Sequence, residues 1–474
     1  MYDYLIIGSG PSGGNLAYNL NKAGAKCLLI EAGKFYRKDT FPKNEADTSA
    51  QLYWGGGIEF DKEARMAFLR ARVVGGTSIV NQCLLDRFDD LAFDDWKDRS
   101  GVDFFSVDAM DSYYKQVESF LDIHTFTTEE KNRNAELFTA SCDKLGYQWN
   151  YLHRGQNNCA IEKGNDCIAC LGGCHRDSKQ SSMTTYIQKA EKEGLEVSAD
   201  TEVSHIAHTD KEVTVFANRL GEKIELKGKN VIIAGGSFGT TQILLKSGFK
   251  NKLAALGKGF SSHPQFMWFG IFDEEINSHK GSFQTVASKD PAFRQKGFKL
   301  ENVYAPPVSV AMLFNRTGKS HQDIMRQYTR MQCLEVALRD DNVGEINIDN
   351  KGKLVVHKPL TDSDKRKRDE GLSVVESILR TAGAKEIVKS PYYFGLHLMG
   401  GCAMGTNPNT SVVDPEFRVH GTKNIYIADS SIYPSAPGIN PSLTIFALAQ
   451  KLSNQLTATN HVEASEQIGA ESAQ

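Results

Sequence analysis

The chain has 474 residues, 40% of them hydrophobic and 24% charged, enough to bury a substantial core and to form two or three structural units. Its formal net charge of −3 is spread along the sequence without a basic domain, which argues against nucleic acid as a partner. No apolar run approaches the roughly 20 residues of a membrane span, and the opening MYDYLIIGSG enters a strand without a basic leader, so a cytoplasmic location is expected.

The first predicted element is a strand over Tyr4 to Ile7, followed by the turn Gly8-Ser9-Gly10-Pro11-Ser12-Gly13-Gly14 and a helical pattern through Leu16, Ala17, Leu20 and Ala23. A second apolar run, Cys27 to Ile30, ends in Glu31, at the spacing a βαβ dinucleotide-binding unit requires. Each position has a physical task. Gly8 permits the turn, Gly10 lets the backbone approach a pyrophosphate, Gly13 allows close packing of helix on strand, and Ser12 lies in the first turn, where free N–H groups attract anions. Glu31 would accept hydrogen bonds from ribose hydroxyls. This motif alone does not separate FAD from NAD.

Further along, Tyr53-Trp54-Gly55-Gly56-Gly57 reads as an entrance lid or as a loop packed on the core, and Arg70 to Asn81 forms a second glycine turn that could nest an anion. Cys159, Cys167, Cys170 and Cys174 then crowd four of the nine cysteines into sixteen residues among Gly164, Gly172 and Gly173. Thiolates at such spacing suit an iron-sulfur cluster or zinc, although zinc sites usually pair two CxxC turns and only Cys167 and Cys170 form one. Val231 to Leu245 predicts strand, glycine turn and helix. Asp362 to Glu370 is a mixed-charge run opening a helix through Leu372, Val375, Ile378 and Leu379. From about Thr457 the chain is small and polar, and residues 461–474 are expected to be a disordered tail.

Five blocks resemble, in order, the segments of glucose/methanol/choline (GMC) oxidoreductases. They are Arg70 to Asn81, whose Gly75-Gly76-Thr77-Ser78-Ile79-Val80-Asn81 is similar to the family's GGxSxxN; Val231 to Leu245; Leu256 to Phe260 with His263; His397 to Gly405; and Asn424 to Thr444. The resemblance implies an α/β fold: a doubly wound, Rossmann-like FAD-binding domain with an inserted α+β substrate domain. Residues 1–90, 195–265 and 395–460 would form the FAD domain, and 91–194 with 266–394 the substrate domain. FAD would be met by Gly8, Gly10, Ser12, Gly13, Glu31, Arg72, Gly75, Gly76, Ser78, Asn81, Val203, Ala234, Gly235, Asp429, Asn440 and Thr444, with a turn-capping role as the alternative for Asp429. Val80 stands where some members carry the histidine that binds flavin covalently, so noncovalent FAD is implied.

The resemblance also carries His397 over as the base that removes a hydroxyl proton while the carbinol hydride passes to flavin. An imidazole whose ordinary pKa is about 6.5 suits that work. Asn440 would hold the substrate oxygen beside it. His263 and His420 are read as structural. Certain sugar dehydrogenases of the family carry an iron-sulfur cluster on a cysteine-rich loop, and long-chain alcohol oxidases have a CxxCxxxC stretch followed by a basic segment, much like Cys167 to Lys179. The expected function is thus oxidation of an alcohol or sugar, as a dehydrogenase passing electrons through iron-sulfur to an acceptor protein or beside a small escort subunit. The alternatives are an oxygen-dependent oxidase with structural zinc or a plain cysteine loop, and a non-redox lyase on the same scaffold.

Overall fold

The computed structural model describes the backbone of residues 1–159 and 167–471, and the side chains of the same residues except Cys167 and 459–471. The apolar runs Tyr2–Ile7 and Cys27–Ile30 become parallel neighbours in a seven-stranded sheet. Strand Glu222–Ile233 is its spine: Val231 to Ile233 pair in parallel with Leu5 to Ile7 on one side and with Ile425 to Ile427 on the other. Its earlier half turns outward and pairs antiparallel with Val213–Arg219, which in turn pairs with Thr201–His208. Continuous burial on both faces explains why the central strands read as unbroken aliphatic runs.

Helix Pro11–Lys22 starts on proline, whose missing N–H costs nothing at that position, and buries Leu16, Ala17 and Leu20 in the core of this sheet. The carboxy-terminal helix, Ser442–Glu471, packs beside it. That helix runs past Thr457, where a disordered tail was expected; Ala, Glu and Gln supply strong helix formers and no proline interrupts them, while residues 472–474 lie outside the described residues.

The second unit is an eight-stranded sheet in the order Glu59–Phe60, Met66–Phe68, Glu386–Gly395, Pro264–Ile271, Met331–Leu338, Phe298–Asn302, Val286–Ser288, Asn150–Tyr151. One face carries Phe298, Leu300, Leu334, Val336 and Leu338 and is covered by helix Asp362–Thr381 through Leu372, Val375, Ile378 and Leu379. Thr361 caps that helix in a reciprocal box with Asp364. Side chains alternate along a strand, so Gln265, Glu301 and Glu335 project from the opposite face, toward a cavity between this sheet and the nucleotide-binding unit.

The fold class matches the expectation, but the chain divides differently between the units. Strands Glu59–Phe60 and Met66–Phe68 belong to the second sheet. Helices Asp90–Ser100 and Val107–Phe120 bury Phe93, Trp96, Met110, Tyr114 and Val117 in the core of the first. The reason is aromatic packing: Trp96 lies 4.4 Å, centroid to centroid, from Tyr433 and donates its indole N–H to the Ser435 carbonyl at 3.0 Å, tying this segment to the carboxy-terminal block.

Candidate active site

The cavity has a volume of about 1000 Å³ and runs from the amino-terminal glycine turn to the floor of the second sheet. Its nucleotide end is lined by Gly8, Gly10, Ser12, Glu31, Gly76, Ser78, Asn81, Val203, Ala234, Gly235 and Asp429. Gly8 has φ +99°, and a Cβ there would lie 2.3 Å from the Ala234 carbonyl oxygen. A Cβ on Gly10, by contrast, would meet nothing within 4 Å, because it faces the cavity. Gly10 caps helix Pro11–Lys22 without a side-chain hydrogen bond, and the buried Ser12 hydroxyl has no partner. Free helix N–H groups, an orphaned hydroxyl and open space over a glycine are the donor set that a pyrophosphate completes, so these residues fit the dinucleotide part of FAD.

Other candidates are held differently. A Cβ on Gly13 would strike the Gly8 carbonyl oxygen at 1.8 Å, so this glycine serves helix packing, away from the cavity. Glu31 accepts from Ser9 N–H at 3.1 Å, Ser9 Oγ at 2.6 Å and Gly33 N–H at 2.9 Å, and burial pushes its carboxyl up. Gly75 donates its N–H to Ser9 Oγ, while Arg72 pairs with Glu202 at 3.1 Å; neither borders the cavity. Asp429 accepts from Gly236 N–H at 2.8 Å, Thr240 Oγ1 at 2.5 Å and Ser431 N–H at 2.8 Å, which is a turn-capping role at the cavity edge. Thr444 is a correction. Its hydroxyl is spent on the Tyr114 phenol, 2.6 Å away and fully buried, so it does not reach the cavity.

At the other end His397 and Asn440 both line the cavity. Asn440 donates from Nδ2 to Asp86 Oδ2 at 3.0 Å and accepts at Oδ1 from Lys299 Nζ at 3.0 Å. The Lys299 ammonium also donates to Glu301 Oε1 at 2.7 Å, and Glu301 stands opposite Glu335 in the strand register. Burial works to raise Glu301, but Lys299 outweighs it and holds this carboxyl below its ordinary value. At Glu335 burial, followed by the Glu301 charge, outweighs the lowering by Lys299 and pushes the carboxyl well up, so the pair holds one proton. Asp86 is kept low by Lys289 and Lys299 against the effect of burial. His397 is pushed down to about 4 by burial, with Lys299 adding and Glu301 opposing, and it is neutral near pH 7.

His263, read from the sequence as structural, is in contact with His397: the two Nδ1 atoms are 2.9 Å apart. Also unanticipated were Lys299, Glu301 and Glu335. Their one sequence signal is a charge in a fully buried apolar strand, as in Phe298-Lys299-Leu300-Glu301-Asn302, since an unpaired buried charge is costly. His420 Nε2 is hydrogen-bonded to Ser411 Oγ at 2.8 Å, in a loop that does not border the cavity.

The expected metal centre is not supported. Cys159, Cys170 and Cys174 are buried, residues 160–166 and the Cys167 side chain lie outside the described residues, and among the described residues no group of three or more His, Cys, Asp or Glu could hold a metal. A buried cation occupies this loop: Lys179 Nζ donates to the carbonyls of Ile79, Asn81 at 2.9 Å and Cys170 at 2.7 Å. Cys174 is pushed down to about 4, first by a hydrogen bond from Cys170, whose own thiol is correspondingly raised.

Comparisons with known proteins give the family and the fold. Two family models, both described as GMC oxidoreductase, match residues 49–265 and 341–449. The long-chain-alcohol oxidase FAO4A of Arabidopsis thaliana is 25% identical, over 94% of this chain and 67% of that protein, so the chain spans about two thirds of its length. A cholesterol oxidase of Acinetobacter baumannii is 23% identical over 98% of this chain and 95% of its own. Among solved structures, pyridoxine 4-oxidase from Mesorbium loti superposes with a TM-score of 0.76 at 14% identity, covering 96% of this chain and 99% of that one, and shows the shared fold.

Proposed function

Because the chain belongs to the GMC oxidoreductase family, we propose that it is an FAD-dependent alcohol oxidase whose substrate is an alcohol with a long apolar body. The observation that carries this reading is that His397 and Asn440 line one cavity together with the apolar side chains Met267, Val303, Met312, Leu313 and Phe394. Hydroxyls set against these apolar side chains would be left without partners, which favours an apolar body over that part of the cavity. The relatives named oxidases for long-chain alcohols and cholesterol support the same substrate class.

Bound FAD would supply the two-electron acceptor for the carbinol hydride and hand the electrons on to dioxygen. The chain's own residues do the rest. Asn440 is held rigid at both ends of its amide, so its remaining N–H and lone pair are aimed at the substrate oxygen. His397 is buried and neutral, and so can hydrogen-bond that oxygen without the cost of a desolvated charge. Val80, buried where covalent flavin attachment would need a histidine, supports noncovalent FAD.

The test is anaerobic addition of long-chain primary alcohols, sterols and sugars to the FAD-loaded enzyme, followed by air. Bleaching of the flavin by long-chain alcohol and one peroxide formed per aldehyde are expected. Reoxidation only by an added dye or protein acceptor, with stoichiometric iron, would replace oxidase by dehydrogenase; bound substrate converted without bleaching would replace both by a lyase.

A further inference from the structure

His263 immediately precedes strand Pro264–Ile271 of the second sheet and is fully buried. Its two ring nitrogens have different neighbours. Nε2 lies 2.9 Å from the backbone N–H of Gly438, which can only donate, so Nε2 must accept. Neutral imidazole carries one proton, and with Nε2 unprotonated that proton is on Nδ1. Nδ1 faces His397 Nδ1 at 2.9 Å, with the rings nearly perpendicular at 85°, so His263 donates and His397 Nδ1 accepts. A neutral His397 whose Nδ1 accepts carries its own proton on Nε2.

We propose that His263 is a positioning residue that locks His397 in the tautomer protonated at Nε2, so that His397 meets the substrate oxygen as a hydrogen-bond donor. This deepens the proposed alcohol oxidation and rests on it. It reverses the role of proton acceptor expected of His397 from the sequence, because an Nε2 that already bears a proton cannot take another and Nδ1 is occupied by His263. The hydroxyl proton goes to Glu301 instead. Glu301 is ionised, borders the cavity and shares the Lys299 ammonium with Asn440. In that step the O–H bond breaks, the proton converts the Glu301 carboxylate to the acid, and the electron pair stays on the oxygen, where the His397 N–H and the Asn440 amide hold it.

The charged groups facing the histidine pair leave it neutral. Lys299 acts on both rings, Arg294 and Arg339 act on His263, and Glu301 opposes them at His397. Burial is the largest influence on each and also disfavours the cation. A second proton on His263 would have to enter against the Gly438 N–H, and one on His397 against the His263 N–H.

The decisive measurement is the ring-nitrogen NMR spectrum of the FAD-loaded, 15N-histidine-labelled enzyme, with His397 signals identified by their loss in His397→Asn. The expected result is a protonated Nε2, an unprotonated Nδ1 and no imidazolium signature down to about pH 5, a unit above the value of about 4 for this ring. In His263→Leu the donor is gone, and both tautomers of His397 should appear, with its titration moved toward the ordinary histidine range. In His263→Asn the side-chain amide can still donate, and the wild-type tautomer should return. An Nδ1-protonated His397 in the wild type, or an unchanged tautomer in His263→Leu, overturns the proposal. The wild-type spectrum decides even if His263→Leu does not fold. Flavin bleaching by alcohol in the same samples tests the enzyme's function separately from the tautomer.

Discussion

Lys299→Met is the perturbation that tests the electrostatics of the cavity floor most directly. The ammonium is almost wholly buried, about 4% exposed, and compensates an equally buried Glu301 at 2.7 Å while also bonding Asn440. Removing one partner of a buried ion pair leaves the other uncompensated and costs about 3–5 kcal/mol. With an unfolding entropy of roughly 2.1 cal/mol/K per residue, 474 residues correspond to ~1 kcal/mol per degree, so the melting temperature should fall by about 3–5 °C. The loss should depend on pH in a definite direction. In the wild type Glu301 lies below its unfolded value, so its contribution is present above the unfolded pKa and fades only as pH falls through the folded one. Without Lys299, burial raises this carboxyl, the folded state then binds the proton more tightly than the unfolded, and the variant regains stability on acidification. Melting curves at pH 8 and pH 5 should therefore show a deficit that narrows at pH 5, and Lys299→Met with Glu301→Gln should recover more than half of it. An equal deficit at both pH values, or a fall below about 1 °C, would refute the assignment of Glu301 as a carboxylate held by Lys299.

Four further outcomes follow from the same geometry. Gly10→Val puts a side chain into open cavity instead of protein, so the fold should survive while FAD content of the purified protein drops by about tenfold or more, read from the ratio of flavin to protein absorbance. Acid precipitation of the holoenzyme should leave all flavin in the supernatant, since position 80 is valine; yellow pellet would show covalent attachment. Glu301→Gln should lower turnover by about 10²–10⁴-fold, the range for loss of a proton acceptor, with flavin still bound; retention of more than a tenth of wild-type turnover would remove Glu301 from that role. His397→Ala should lose a similar factor in the rate of anaerobic flavin bleaching without changing FAD content.

The nucleotide half of the protein is legible in the sequence because its determinants are local. Gly8, Gly10 and Glu31 lie within one βαβ unit, and the backbone requirements of a tight turn and an open helix N-terminus are met by residue types at short, fixed spacing. The aliphatic runs at Tyr4 to Ile7 and Val231 to Ile233 likewise announce the buried central strands, and the order of the blocks brings His397 and Asn440 into view before any coordinates. The division of the chain between units was not legible. Strands as short as Glu59–Phe60 and Met66–Phe68 carry too little periodicity to declare a sheet, and Trp96 reveals its allegiance only through Tyr433, more than three hundred residues away.

The chemistry of the cavity floor is the part that only tertiary structure decided. Glu301 and Glu335 come from separate strands and become a proton-sharing pair through antiparallel register, with Lys299 bonded to Glu301 and only partly offsetting the burial that raises Glu335. His263 and His397 are far apart in sequence, and each could be base, donor or bystander until the Gly438 N–H settles which nitrogen of His263 accepts. A protonation pattern is a property of neighbours at about 3 Å, and sequence spacing conveys neighbours only along one strand, turn or helix. What the sequence by itself determined was therefore the dinucleotide cradle and the presence of His397 and Asn440; which atom of His397 bears the proton was decided by the fold.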